Sequence, residues 1–234
     1  MRVNFGRPMP VFPLGQVSLM PHAVLPLHIF EPRYRDMVRD VLDGPGQIAM
    51  AVFDGQLWRQ EYDGRPPLRP AVCVGQIVRH QKLPDGRYLI ELHGVCRARI
   101  VGEIPEDEDV AYRLAMLEPV GIGDPSERQE HEQRLLAFRR KLEHQLRQTG
   151  LKRLSGAEGV LEHLGDEEVP TVAILELLTF SVIQDAELRY RLLAEADPVR
   201  RAALLETELG GIRRLVDRAE GQLGLDAPKG VSWN

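Results

Sequence analysis

The chain has 234 residues, 43% of them hydrophobic and 28% charged, with a formal net charge of −5. A chain this long buries roughly 70% of the surface its unfolded form exposes, so it needs no disulfide or metal staple. Residues 1–120 carry 14 Lys and Arg against 15 Asp and Glu, and the remainder 16 against 20, which argues against a polyanion-binding protein, and no apolar run approaches the roughly 20 residues that a membrane span needs.

Two apolar runs, Val11–Leu14 and Val24–Phe30, are separated by Gly15 and Pro21 and closed by Pro32, which predicts strand, turn, strand and the start of a helix. Pro32 suits the first helical turn, where its missing N–H would be an orphan anyway, and Glu31 sits at the positive end of the macrodipole. Tyr34, Met37, Val38, Val41 and Leu42 then recur at helical spacing, so the helix folds an apolar face back on the sheet. Gln47–Phe53 predicts another strand. Residues 54–70 are rich in turn formers and place Trp58 and Tyr62 among charges, outside any alternating pattern, which predicts an irregular excursion from the sheet.

Ala71–Gln81 and Arg87–Val95 are β-rich runs joined through Pro84, Asp85 and Gly86, the strongest hairpin signal in the chain. Gly75 within the first predicts a bulge or a close backbone approach. A separate strand over Cys96–Ile104 and one over Tyr112–Val120 complete the set, with the acidic run 106–109 as a solvated loop. Leu25, Leu27, Ile29, Val52, Val74, Ile90 and Leu92 are the expected core.

Composition shifts at Gly121. Asp124, Pro125 and Glu127 form an N-cap, a proline at the first helical position and a capping-box acid, after which Leu135, Phe138, Leu142 and Leu146 line one face. Ser155 and Glu158 predict a second capping box. Val172–Ile183 is apolar on nearly all sides and is expected to be the buried centre of this half. Asp185 and Asp197 with Pro198 cap two more helices, and Gly210 with Gly211 predicts a kink or break in the last. Residues 223–234 read as a tail docked by Trp233. The expected fold is α+β: a curled, mostly antiparallel sheet with an inserted helix over 1–120, then a helical bundle over 121–222.

Catalytic motifs are missing from the 234 residues. There is no GxxxxGK[ST] to cradle phosphate, and the four lysines, Lys82, Lys141, Lys152 and Lys229, are scattered. His131 and Glu132 would need a histidine at 135, which is leucine, to present two imidazoles on one helix face. His80 and His93, on the two hairpin arms, are expected to face each other, but they are two ligands at most, and two rarely hold zinc. We therefore expect no metal, no cofactor and no enzyme. Cys73 and Cys96 stand on strand-like segments with no signal peptide before them, which reads as reduced thiols in a cytoplasmic protein.

The segments FPL at Phe12–Leu14 and LPLHIFEPRYRDMV at Leu25–Val38 resemble the opening of the LON substrate-binding domain, the N-terminal domain of Lon protease, in its stand-alone form. IAMAVF at Ile48–Phe53, VGQIVRHQKLPDGRYLIELHGVCRARI at Val74–Ile100 and LLTFSVIQDAELRYRLLAEADPVRRAALL at Leu177–Leu205 extend the resemblance in the family's order. It implies a PUA-like pseudobarrel that recognises unfolded or degradation-marked polypeptide, in protein quality control, without an ATPase or protease of its own. The second reading, an RNA-binding PUA-like module, has the balanced charge against it. For the family motif, Pro26, Glu31, Arg33, Tyr34, Gly94 and Arg97, a structural role is expected: a helix start whose Glu31 and Arg33 pair with Arg97 or with backbone groups. Trp58 and Tyr62, with Phe12 and Tyr112, are the candidate partner surface, because aromatic rings suit extended polypeptide.

Overall fold

The computed structural model describes residues 2–55, 57–59, 64–106, 109–121, 123–148, 151 and 156–225. These fall into two compact units, Met1–Arg128 with Ile183–Asp197, and Gln129–Val182 with Pro198–Asn234. A helical segment far downstream of the composition shift at Gly121 thus clusters with the β-rich part.

In the first unit the chain forms β1 (Met9–Leu14), β2 (Val24–Ile29), α1 (Pro32–Leu42), β3 (Gln47–Val52), β4 (Ala71–Lys82), β5 (Tyr88–Glu103) and β6 (Arg113–Pro119), with α5 (Ala186–Ala194) joining from later in the chain. The strand order is β2-β5-β4-β3-β1-β6, and β5 also pairs with β6, which curls five strands into a closed barrel and leaves β2 outside it. Only β1 and β3 run parallel, Val11 opposite Ala49 and Leu14 opposite Val52. The intervening β2 and α1 supply the crossover that a parallel pair requires. Small and β-branched residues fill the barrel: Val11, Ala49, Ala51, Val72, Val74, Ala98 and Ala115 are all buried. A narrow barrel has room for little more than methyl-bearing side chains.

The hairpin forms as expected, Leu83 N–H donating to Arg87 O at 2.8 Å and Gly86 at φ +83°. Gly75 sits at a register shift, where a Cβ would meet Leu92 at 2.5 Å and Leu19 at 2.9 Å. Three sequence expectations change. Cys96–Ile104 is no separate strand, since β5 runs unbroken through it, pairing with β2 along its first half and with β6 along its second. Leu25 and Leu27 are half-buried where Ile29, Val52, Val74, Ile90 and Leu92 are core, because β2 is a terminal strand outside the closed barrel. His80 and His93 do not face each other, His80 lying opposite Ile90 and His93 opposite Gln76.

The second unit holds most of α2 (Pro125–Gln148) with α3 (Ala157–Leu164), α4 (Thr171–Ser181) and α6 (Pro198–Leu225). The capping box is reciprocal: Asp124 Oδ1 accepts from the N–H of Ser126 and Glu127, while Glu127 Oε2 accepts from Asp124 N–H at 3.1 Å. The Ser155 cap lies outside the described residues, as does the Trp233 tail, and α3 takes Gly156 at φ +83° as its N-cap. Polar side chains satisfy helix ends: Glu132 accepts from the N–H of Thr171 at 2.9 Å, and Arg139 donates to the carbonyls of Leu164, Asp166 and Val169. Arg201 and Glu176 form a buried ion pair at 3.2 Å. The predicted interruption at Gly210 and Gly211 is absent, α6 continuing through both, because about 1 kcal/mol per glycine does not outweigh the bonds gained by a long helix.

Candidate functional site

Two surfaces of the first unit offer recognition chemistry. The first is a cavity of about 650 Å³ where β1 and β3 end, walled by Gly15, Ser18, Phe53, Asp54 and Trp58 on one side and by the first turn of α5 on the other. Gly15 takes the chain under Trp58, where a Cβ would lie 2.1 Å from the indole. The indole stacks on Phe53, centroids 4.9 Å apart and 10° from parallel, and Arg59 lies 5.4 Å from its centroid. Opposite, Asp185 caps α5 by accepting from Leu188 N–H at 2.6 Å. Arg69 makes a bidentate pair with Glu187 at 2.6 and 2.9 Å and stacks on Tyr190 at 3.4 Å. That pairing raises Arg69 above the ordinary guanidinium value and holds Glu187 below the usual carboxylate range.

The second surface is the outer face of β2 and the adjoining part of β5. Register places Val24 opposite His93, Pro26 opposite Glu91 and His28 opposite Leu89 on one face. On it Val24 is 44% exposed and Leu89 42%, and Phe30, one residue past the strand, is 59% exposed and touches the His28 ring at 5.9 Å. Pro26, which donates no hydrogen bond, stands where a terminal strand tolerates it. A shallow cavity of about 640 Å³ runs across this face to Arg79 and His80.

The proposed partner aromatics are not gathered in one place. Phe12 is buried, its ring edge-on to Tyr34 at 4.6 Å, and so presents no surface to a partner. Tyr112 donates to Asp40 Oδ2 at 3.1 Å and lines a different cavity with Arg65 and Leu114. Burial, then that bond, pushes its hydroxyl up to about 12. Tyr62 lies outside the described residues, and of the three described ones Trp58 alone reaches the first cavity.

The sequence from residue 8 to residue 209 matches the model of the ATP-dependent protease La (LON) substrate-binding domain. The chain belongs to the LON substrate-binding domain family. Its fold is similar to that of a Lon N-terminal domain protein from Xanthomonas campestris, at 21% identity and TM-score 0.57, covering 86% of this chain and 98% of that one. It is also similar to the N-terminal domain of the Mycobacterium avium complex Lon protease, at 14% identity and TM-score 0.64, covering 87% and 98%. The LON substrate-binding domain is a recognition module and not a catalytic one, and no described helix is long and apolar enough to cross a membrane.

In this LON domain the motif residues have packing and pairing partners. Glu31 is the N-cap of α1 and pairs with Arg33 at 3.1 Å, whose guanidinium stacks 4.8 Å from Tyr34. Gly94 exists because a Cβ there would lie 2.0 Å from Met20 O. Arg97, 7% exposed, donates to the carbonyls of Leu193 and Leu192 at the end of α5. The sequence reading missed Ser18, Asp54, Arg69 and Glu187, which share the cavity from four separated segments with no common period. It also missed Val24, Phe30 and Leu89, although the alternation Val24, Pro26, His28, Phe30 in a run apolar on both faces was the available signal.

Proposed function

We propose that the chain binds extended, unfolded polypeptide and acts in protein quality control by selecting such chains. The observation that carries this reading is the outer face of β2, where Val24, Phe30 and Leu89 remain exposed on a strand whose other edge has no partner among the described residues. Apolar side chains held in water mark an interaction surface, and an extended chain supplies side chains at strand spacing to meet them. The family supports a protein substrate as the ligand.

The test is titration of a permanently unfolded, reduced and alkylated model protein into the wild-type chain and into a Phe30→Ser, Leu89→Ser variant. Loss of two anchors is expected to weaken binding about tenfold, or roughly 1.4 kcal/mol, with the melting temperature nearly unchanged because both residues are exposed. Unaltered affinity overturns the assignment of this face. Single-stranded RNA is the contrast ligand, expected to bind weakly and to be lost steeply with salt, and submicromolar RNA binding at physiological salt would favour the nucleic-acid reading instead.

A further inference from the structure

β2 pairs on one side only, with β5, and no strand lies beyond it among the described residues. Just ahead of it Gly94 N–H donates to Ala23 O at 2.8 Å. Bonded and non-bonded pairs alternate along an antiparallel ladder, so the register from that bond makes Leu25 with Leu92, Leu27 with Ile90 and Ile29 with Tyr88 the bonded pairs. Val24, Pro26 and His28 therefore turn their backbone groups away from β5, and Pro26, which has no N–H, agrees with that phase. The outer edge of β2 offers N–H donors at Val24 and His28 and carbonyls at all three residues. Proteins blunt an edge that is to stay unpaired with lysines, inward charges or prolines. β2, VLPLHI, carries no charged residue, and Pro26 is its one such device. Beside it Arg79 and Glu91, the charged residues lining the shallow cavity, pair with each other at 3.2 Å, so their charges cancel. This surface has nothing to hold a phosphodiester chain or a highly charged helix. Its donors and acceptors match those of an extended, uncharged stretch of polypeptide.

We infer that an unfolded polypeptide binds by adding a strand to β2. Val24 and His28 each donate one hydrogen bond to the added strand and accept one, and Pro26 accepts one. Val24 and Phe30 flank the added strand on one face and the half-buried Leu25 and Leu27 on the other, so it continues the β5–β2 ladder with apolar contact on both sides. The inference rests on the reading that the chain binds polypeptide, and adds that backbone groups, common to every sequence, carry part of the recognition.

The experiment follows amide hydrogen exchange by NMR in the full chain, free and saturated with the reduced and alkylated unfolded protein. The amides of Val24 and His28 are expected to exchange fast in the free chain and slowly in the complex, while those of Leu25 and Leu27, bonded to β5, are slow in both. His28→Pro removes an edge donor and His28→Ala removes only the imidazole, so the proline variant is expected to bind about fivefold more weakly than the alanine one, the net worth of one hydrogen bond. Pro26→Ala supplies a third donor and is expected to strengthen binding by a similar factor. Protection of Leu25 and Leu27 reports that the ladder is intact in each variant, and if His28→Pro opens it, the wild-type protection pattern and Pro26→Ala decide. Val24 and His28 amides that stay fast in the complex overturn the inference, as do equal affinities of His28→Pro and His28→Ala with the ladder intact. Amides already slow in the free chain and released on dilution put a second copy on the edge, and also overturn it. If the unfolded protein still binds in a Phe30-dependent manner under those outcomes, polypeptide recognition by the apolar face stands and only strand addition falls. If the unfolded protein does not bind, both readings fall.

Discussion

Arg97 in β5 donates its Nε–H to the carbonyl of Leu193 at 3.1 Å and its Nη2–H to that of Leu192 at 3.3 Å, tying the barrel to the last turn of α5. Those carbonyls are among the four that a helix end leaves without intrahelical partners, and a cation there also meets the negative end of the dipole. Tyr190 contributes a second tie, its hydroxyl accepting from Ala71 N–H at 2.9 Å. Arg97→Met keeps the apolar stem and removes the donors. It is expected to lower stability by about 2–4 kcal/mol, since buried acceptors lose charged partners. Urea unfolding measures this, and a change under about 0.5 kcal/mol would show that the tie is dispensable.

Gly94 and Gly102 stand in the same strand and should behave oppositely. Gly94 exchanges hydrogen bonds with the 20–23 turn, accepting from His22 N–H and donating to Ala23 O, at a separation that excludes a Cβ. Gly94→Ala is expected to cost on the order of 3 kcal/mol through forced backbone movement. A Cβ at Gly102 meets nothing within 4 Å among the described residues, so Gly102→Ala should stay within about 0.5 kcal/mol of the parent. Thermal melts of the two variants check both.

In α6, a Cβ at Gly210 or Gly211 would meet, among the described residues, only the Arg214 side chain, at 3.8 and 3.9 Å. Each Gly→Ala change should therefore stabilise the chain by about 0.5–1 kcal/mol, by restricting the unfolded backbone and favouring the helix. Destabilisation by either change, read from denaturant midpoints, would mean that the glycines are needed for close approach or for a bend.

Cys73 lies opposite Arg97 and Cys96 opposite Val74, so the two free thiols face opposite sides of the sheet. Burial pushes the Cys96 thiol up to about 11. The folded chain thus holds this proton more tightly than the unfolded one, whose thiol titrates near about 8.5. Its contribution to stability is fully present below that value and is lost as pH rises through about 11. The wild type minus Cys96→Ala difference in stability should shrink over that window, followed by urea midpoints at stepped pH. A difference independent of pH would place the thiol in ordinary solvent.

Local chemistry made much of this fold legible before any coordinates. Pro32 and Glu31 start α1, Asp85 and Gly86 turn the hairpin, and Asp124 with Glu127 caps α2, because each rests on neighbours a few residues apart whose bonding the backbone itself dictates. The Leu135, Phe138, Leu142 and Leu146 stripe is likewise a property of helical period alone. What the sequence could not contain is which face meets which. The run of β2 carries apolar residues on both faces, and only its place outside the closed barrel leaves Val24, Phe30 and Leu89 in water. Asp54, Arg69 and Glu187 meet at one cavity because α5 returns to the barrel more than a hundred positions downstream, pinned by Arg97 and Tyr190. Contacts of that kind arise from chain closure over long loops, and no spacing rule encodes them.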